Sequence, residues 1–451
     1  MTDLSLLARR AVERAVAAGA ADAEAYVSEA SEREVRVHGG EVESLGAATQ
    51  RGIGVRAWIG GRVGYAYGTD LAEAGIAATA ARAAELAALA DEDEFAGPPR
   101  DAGRVPAIAG LGDPSLPEWP AVRIADLALA VERAALETDP RIAGVEQAVY
   151  ADSADRVAIA SSTGVAAEFE KSSCFAYVQA LAEGEDGRET GLGFGLARGP
   201  AGLDAAAIGR EGAERASEMI GAVKPASQAC PVVLDPTVAA SFAGLVGRGL
   251  GADTVQRGRS PFADRLGEEL AARVFVLHDD GLDPEGFASS PVDGEGVPRR
   301  PTALIEGSRL RTYLHDTYTA RRGGAASTGS AGRSGYRTQP SVSASNLVVA
   351  PGSLGFDDLL REAGDGVLVT DVAGLHSGVN PVTGAFSVGA SGRAIRGGEP
   401  AEPLREFTIA GDLVAMLRAV RAVGAESRWV PFGGSVSTPP LLIGELTVGG
   451  A

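Results

Sequence analysis

The chain has 451 residues, of which 45% are hydrophobic and 22% charged, a composition that argues against general disorder and collagen-like repetition. Its net charge of −19 opposes binding to a polyanion, because nucleic-acid affinity rests mainly on Lys and Arg. No uninterrupted apolar run reaches about 18 residues, the length that spans a bilayer. We therefore expect neither nucleic acid nor a membrane as a partner.

The first twenty residues place charges among the apolar positions, which is not the pattern of a secretory signal. We therefore expect a cytoplasmic protein. Only two cysteines are present, Cys174 and Cys230, so a disulfide framework is not expected. The length fits two large domains, which we divide into residues 1–225 and 226–451.

The N-terminal domain begins with a predicted helix that Thr2 or Asp3 can cap and Gly19 can end. Alternating strand patterns follow, and Gly60-Gly61 predicts the turn of a hairpin. An Ala-rich helix over 70–90 comes next, followed by an irregular Pro-rich linker. The order of helix, strands and helix then recurs up to about residue 221. We predict an α/β region with an antiparallel meander and flanking helices.

The C-terminal domain begins with a predicted buried strand, Pro231–Leu234, which leads into a helix starting at Pro236. Short strands separated by Gly, Ser and Pro follow. One late helix is predicted over Ile409–Val423, where apolar residues recur at helical spacing. The predicted fold class is α+β, with a β-rich C-terminal domain that forms a curved sheet or a barrel-like structure.

Motifs for independent catalysis or metal binding are absent. The four histidines, His38, His278, His315 and His376, are scattered and none is followed by Glu. The sequence has no CxxC pair, no GxSxG nucleophile elbow and no Walker lysine motif. We therefore predict no metal and no cofactor in this chain, and no catalytic residue.

A basic stretch runs from Asp293 to Arg337, where eight arginines outnumber four acidic residues. One interpretation is a solvated loop surface. The other is a groove for the anionic end of a ligand, such as a peptide carboxylate, which a planar guanidinium can hold through two hydrogen bonds.

Several blocks in the second half resemble one known family, the TldD/PmbA family of zinc-peptidase-related proteins. The likeness covers nearly the whole chain and is strongest between Asp293 and Leu417. The blocks that carry it are Val292–Pro298, Leu304–Leu310, Tyr313–Asp316, Ser377–Ser387, Gly389–Gly392 and Thr408–Leu413.

The catalytic TldD branch carries an HExxxH motif on a helix and a cysteine near the C-terminus. The resemblance places Ala243, Gly244 and Arg248 at the two histidines and the glutamate, and Ser427–Gly434 contains no cysteine. None of the three residues can bind Zn²⁺ or act as a base. The chain therefore resembles the PmbA branch, also called TldE, which lacks the motif. The alignment is anchored by Gly247, Gly249, Leu250 and Asp253.

The resemblance implies a non-catalytic subunit in a metallopeptidase heterodimer that degrades or processes peptides. A TldD-like, HExxxH-bearing subunit would hold the zinc, and this chain would help form the chamber and hold an extended peptide. Some candidate contacts are also ordinary turn or core residues, so both interpretations remain open. The candidates for substrate contact are Arg333, Tyr336, His376, Asn380, Thr383 and Phe386.

Two alternatives belong to other functional classes. The chain could be a self-sufficient homodimeric hydrolase that uses His376 or an unrecognised carboxylate as its base. It could also be a peptide-binding scaffold with no peptidase partner. The sequence names neither the peptide nor the oligomer, and it does not say whether a partner is obligate or whether activity remains without one.

Overall fold

The computed structural model describes residues 3–100, 103–185 and 187–451, so the candidate cap Thr2 lies outside the described residues. Short 3-10 helices occur at Leu116–Glu118 and Pro200–Gly202. The α-helices in the described part are α1 (Leu4–Ala17), α2 (Glu73–Leu89), α3 (Ala121–Thr138), α4 (Ala205–Glu218), α5 (Pro236–Gly249), α6 (Ala252–Gln256), α7 (Thr317–Arg322), α8 (Phe356–Ala363), α9 (Leu375–Gly378) and α10 (Leu413–Arg418).

The strands fall into an N-terminal and a C-terminal group. The N-terminal strands are β1 (Asp22–His38), β2 (Glu41–Ile59), β3 (Arg62–Gly68), β4 (Ile142–Ser161), β5 (Ala166–Gly184) and β6 (Gly187–Ala197). The C-terminal strands are β7 (Gln228–Leu234), β8 (Leu277–Asp279), β9 (Thr302–Glu306), β10 (Arg309–Leu310), β11 (Ala331–Gly332), β12 (Ser341–Val342), β13 (Asn346–Val349), β14 (Gly366–Ala373), β15 (Ala385–Arg396), β16 (Glu399–Asp412), β17 (Val420–Val423), β18 (Arg428–Val430), β19 (Ser435–Thr438) and β20 (Leu441–Gly449).

The six N-terminal strands form one antiparallel sheet in the order β3-β2-β1-β4-β5-β6. The predicted meander with flanking helices is confirmed, and Gly60 and Gly61 form the hairpin turn with positive φ angles. Runs that the alternation pattern suggested as separate strands join into the long strands β1 and β4. Asp3 caps α1 by accepting a hydrogen bond from the Leu6 amide at 2.8 Å.

The two faces of this sheet have different neighbours because strand residues alternate between faces. Alternate residues such as Ala25, Val27 and Ala176 pack against α1 to α4. The opposite face, which includes Tyr26 and Val157, packs against segments of the C-terminal half. One sheet is therefore covered by its own helices on one face and by the rest of the chain on the other.

The C-terminal strands form a closed five-stranded barrel of β7, β14, β15, β16 and β20, so the barrel-like prediction is confirmed. Strand β17 pairs with β20 at its margin. A second sheet has the order β10-β9-β8-β13-β19-β18, and β11 pairs with β12. Helix α5 packs near the barrel and this second sheet, and contributes Phe242 and Val246 to the largest hydrophobic core.

The predicted late helix Ile409–Val423 is wrong at both ends. Ile409 lies in β16, only Leu413–Arg418 is helical, and the segment ends in β17. Ile409 pairs with Val388 and Val448 in neighbouring strands, so barrel closure overrides the local helical spacing. Asp412 caps the short helix by accepting from the Val414 and Ala415 amides.

Every strand of the first sheet lies before residue 198, and the strands of the barrel and second sheet begin at Gln228. The division into domains at residue 225 stays a prediction. Among the described residues, no helix is long and apolar enough to cross a membrane.

Candidate functional site

Helix α5 is the element on which the resemblance places the catalytic motif, and local chemistry fixes where it begins. Asp235 accepts a hydrogen bond from the Thr237 amide at 2.8 Å, and Pro236 occupies the first helical position. Asp235 also pairs with Arg215 of α4 at 3.1 Å. The start of α5 is therefore held both by its own cap and by the N-terminal half.

A cleft of about 500 Å³ opens along α5, and we call it the α5 cleft. Thr237, Ser241 and Arg248 recur on one helix face and line it. His376, from α9, is exposed on the facing wall. The remaining lining residues include Leu192, Val238, Asp371, Val372, Leu375, Phe432 and Gly433. The cleft thus combines apolar walls with a few polar groups, as peptide and ligand sites commonly do.

Two polar groups of the α5 cleft have little or no bonding within the described part of the chain. The Thr237 hydroxyl oxygen is buried and has no hydrogen-bond partner there. The exposed Arg248 guanidinium makes one long hydrogen bond, at 3.4 Å, to the Gly433 carbonyl oxygen. The Arg248 guanidinium can donate to a ligand carbonyl or carboxylate directly, whereas the Thr237 hydroxyl can do so only after its side chain rotates toward the cleft.

The positions at which the resemblance places the zinc motif do not fit a zinc site. Ala243 is buried in the hydrophobic core, and Arg248 carries a permanent positive charge. A Cβ atom on Gly244 would lie 2.9 Å from the Gly433 carbonyl oxygen, so the loop around Gly433 covers this part of the helix. The described residues offer no ligand set here, and any side chain at position 244 would have to displace the loop.

The other histidines and the cysteines do not supply a replacement metal site. His315 is buried, and burial lowers its imidazole pKa. Cys174 and Cys230 are separate, buried free thiols, and burial raises both thiol pKa values. Within residues 3–100, 103–185 and 187–451, no group of three His, Cys, Asp or Glu side chains is arranged to hold a metal.

Three predicted contact residues lie on the segment from α9 to β15. Asn380 is exposed, and its side-chain oxygen accepts from the Val382 and Thr383 amides at 2.9 and 3.1 Å. Thr383 is exposed on the same turn. Phe386 is buried and packs against Phe242 of α5, with ring centroids 5.0 Å apart. None of these three lines the α5 cleft beside His376.

Arg333 and Tyr336 lie elsewhere, at a second cavity of about 410 Å³ between the helix-free face of the first sheet and the C-terminal half. We call it the interlayer cavity. The sheet side includes Tyr26, Asp155 and Lys171, and the opposite side includes Arg299, Arg333 and Tyr336. The six predicted contact residues are therefore divided among two cavities, a turn and, for Phe386, the hydrophobic core, and their role in substrate contact stays a prediction.

A buried ion network joins the two sides of the interlayer cavity. Arg333 pairs with Glu24 at 2.9 Å, Arg56 also pairs with Glu24, and Arg56 reaches Glu295 at 3.1 Å. Burial opposes ionisation of Glu24, but Arg56 and Arg333 hold its pKa below the usual range. The Arg333 guanidinium also lies 4.5 Å from the Tyr26 ring centroid. Arg333 therefore helps to hold the two sides of the cavity together, which is a structural role.

Sequence reasoning missed Thr237, Lys171 and the Glu24 network. Thr237 follows Asp235-Pro236 at a helix start, a signal that predicts the helix but not the unpaired hydroxyl. Lys171 is one of two lysines in the chain, and that rarity was the only signal it carried. Glu24 lies in an alternating strand pattern typical of an exposed face, so its burial depends on the facing C-terminal half.

Models of the PmbA/TldA metallopeptidase family match almost the full length of the chain. Domain 1 matches residues 23–87, the central domain matches 114–220, and the C-terminal domain matches 227–450.

Individual relatives align along nearly their whole lengths. The metalloprotease PmbA homolog of Haemophilus influenzae is 28% identical, covering 98% of this chain and 94% of that protein. Metalloprotease PmbA of Escherichia coli O157:H7 is also 28% identical, with 96% of each chain covered. The crystal structure of TldE from Thermococcus kodakarensis has a TM-score of 0.90 at 22% identity, covering 98% of this chain and 100% of that one, and shows the same fold.

Proposed function

The chain belongs to the PmbA/TldD metallopeptidase family, and from that premise we propose that it is a non-catalytic subunit of a peptide-cleaving complex. In this proposal, a TldD-like subunit that bears HExxxH holds the zinc and cleaves the peptide in the cytoplasm. This chain completes the chamber and holds the extended substrate.

One observation carries the proposal: the α5 positions that would hold the motif are unsuited to it. Ala243 lies in the core, Gly244 is covered by the Gly433 loop, and Arg248 would repel a zinc ion. A zinc peptidase needs three protein ligands and an open position for water. A helix at this place without zinc ligands supports a role in shaping the chamber and binding the substrate.

The α5 cleft supports peptide binding by groups that donate hydrogen bonds. Thr237, Arg248 and His376 line it, and a peptide offers a carbonyl acceptor at every residue. Binding through main-chain groups gives affinity with little sequence choice, which suits a subunit that must hold varied peptides. Here the chain binds and orients the substrate, and the partner supplies the reacting groups.

The test is co-expression of this chain with the HExxxH-bearing homologue from the same genome, with purification through a tag on this chain. We expect a stable pair, about one zinc per heterodimer, and peptide hydrolysis that chelation abolishes. An Ala substitution at the first His of the partner's motif should remove both zinc and activity. Arg248→Ala in this chain should leave zinc content unchanged.

Three results would contradict this proposal. If this chain purified alone binds stoichiometric zinc or cleaves peptides, it is not a non-catalytic subunit. Hydrolysis that survives chelation and disappears in His376→Ala would identify a self-sufficient enzyme. Failure to pair with the homologue, with peptide binding retained, would identify a scaffold.

A further inference from the structure

Three cationic side chains converge beside the interlayer cavity, and none of them is within ion-pair distance of a carboxylate in the described part of the chain. Lys171 of β5 and Arg299 line the cavity, and Arg198 lies close enough to Lys171 to interact with it electrostatically. Across the described ranges, none of the three forms an ion pair, although the protein is strongly acidic. Like charges repel, so an anion bound among the three cations would relieve part of this repulsion.

The hydrogen bonds of the two arginines go to neutral acceptors. Arg299 donates to the Ser290 hydroxyl and the Gly329 carbonyl, both at 3.0 Å. Arg198 donates to backbone carbonyls, including that of Ser172 at 3.2 Å, and its buried Nε has no partner among the described residues. These contacts fix the guanidinium groups in position without an ion pair, while Asp279 and Asp293 interact with Arg299, and Asp283 with Arg198, at longer range.

Lys171 has the fewest hydrogen-bond partners of the three cations. Its side chain is half-buried and makes no hydrogen bond within the described part of the chain. Asp155 lies opposite it on β4, in register, but the two side chains do not form an ion pair. Burial lowers the Lys171 pKa, Asp155 opposes this shift, and Arg299 and Arg198 add to it.

The acidic groups around the cavity limit which anion fits. Asp155, Glu32 and Asp293 line it, and Asp279 interacts with Arg299 from outside the lining set. These carboxylates would repel a polyanion such as a triphosphate, whereas a singly charged group can approach Lys171. Tyr26, Val157 and Phe169 provide apolar walls for the rest of such a ligand.

We propose that the interlayer cavity is a binding site for a carboxylate, with Lys171 as the main charged contact and Arg299 beside it. The cavity volume of about 410 Å³ is large enough for a short peptide segment that ends in this carboxylate. The peptide C-terminus has this chemistry, a single carboxylate attached to a mixed polar and apolar chain. Naming that source rests on the proposed function, while the carboxylate site itself stands on the cavity alone.

Binding at Lys171 can be followed by NMR with little signal overlap, because Lys171 and Lys224 are the only lysines of the chain and Lys224 is exposed. The full-length protein would be labelled with ¹³Cε-lysine, giving two NMR signals that Lys224→Arg assigns. The probes are acetate, N-acetyl-trialanine with a free carboxylate, and its C-terminal amide. We expect the carboxylate forms to shift the Lys171 signal saturably and to raise its titration midpoint, while Lys224 does not respond.

The variants are Lys171→Met and the matched control Lys224→Met, with circular dichroism to check the fold. Calorimetry should show binding of the trialanine acid weakened at least about tenfold in Lys171→Met, because a charge-assisted hydrogen bond is lost. The control should bind as the wild type does. A Lys171 signal that ignores both carboxylates, or equal acid affinity in Lys171→Met, overturns the carboxylate site.

Three further outcomes separate the possible sources and the two proposals. If acetate binds as tightly as the trialanine acid, the carboxylate site stands and a peptide C-terminus as its occupant is overturned. If the amide shifts the Lys171 signal as strongly as the acid, the charge is not recognised and the site is overturned. Loss of pairing with the HExxxH-bearing homologue would overturn the proposed function while leaving the Lys171 response intact.

Discussion

The ring of Tyr336 occupies the space that a side chain at Gly52 would need. Gly52 lies on β2, and Tyr336 follows Arg333 on the loop that faces the first sheet from the C-terminal half. The Tyr65 hydroxyl donates to the Tyr336 carbonyl oxygen nearby. The absence of a side chain at Gly52 therefore allows this loop to reach the sheet and close one side of the interlayer cavity.

Gly52→Ala should consequently destabilise the protein. Its Cβ would overlap the buried Tyr336 ring, and overpacking of this kind typically costs about 1–3 kcal/mol. Gly46→Ala on the same strand is the matched control, because nothing lies within 4 Å of a Cβ there. Urea unfolding of both variants measures the difference. Equal free energies of unfolding in the two variants would contradict this account of the contact.

The Glu24 network predicts a larger effect. Glu24→Ala leaves the buried Arg333 without its ion-pair partner and Arg56 with Glu295 alone, and breaking a buried pair in this way typically costs about 3–5 kcal/mol. Glu85→Ala breaks the exposed pair with Arg82 and should change the free energy of unfolding by no more than about 1 kcal/mol. Chemical denaturation compares them. A Glu24 effect as small as that of Glu85 would show that the network adds little to stability.

Asp279 predicts a specific pH dependence. Burial raises its pKa to about 6, above the value of about 3.9 in an unfolded chain. The folded protein therefore binds this proton more tightly, so the contribution of the carboxyl to stability is greatest below about pH 4 and is lost as pH rises through about 6.

Asp279→Asn removes this titration while keeping a side-chain oxygen that can accept from the Ser345 amide and hydroxyl. We expect the free energy of unfolding of the variant, relative to wild type, to become more favourable between about pH 4 and pH 7 and then to level off. Urea unfolding across this range measures the trend. A difference that stays constant with pH, or that moves in the opposite direction, would contradict the raised pKa.

Local chemistry made part of this fold predictable. Asp3 caps the helix that it was expected to begin, the helix predicted to start at Pro236 does start there, and Gly60-Gly61 forms its hairpin. Each signal acts within a few residues of the element it specifies. The barrel class also followed from the many short strands, although the segment around Ile409 was assigned to the wrong element because its strand partners are distant in sequence.

The candidate sites were only partly predictable for the same reason. His376 was singled out in the sequence, and it lines the α5 cleft, but Thr237 on the facing helix was not. Lys171 and Arg299 meet because two halves of the chain pack against one sheet face. Neither hydrophobic periodicity nor motif spacing in the sequence predicts that these two residues are close in space. A resemblance identifies which segments correspond, while tertiary packing determines which side chains face a common space.

The unpaired Thr237 hydroxyl gives the sharpest test of the α5 cleft. If it is reserved for a peptide, Thr237→Val should raise the KM of the complex with the HExxxH-bearing homologue about two- to tenfold, the effect of one lost hydrogen bond, with kcat unchanged. The stability of the free chain should not fall, because the hydroxyl has no partner in the described part of the protein. Ser241→Ala is the matched control: its hydroxyl also lines the cleft but already donates to the Thr237 carbonyl. Steady-state kinetics with a short peptide measures both KM values. If KM changes equally in the two variants, or in neither, Thr237 does not contact the peptide.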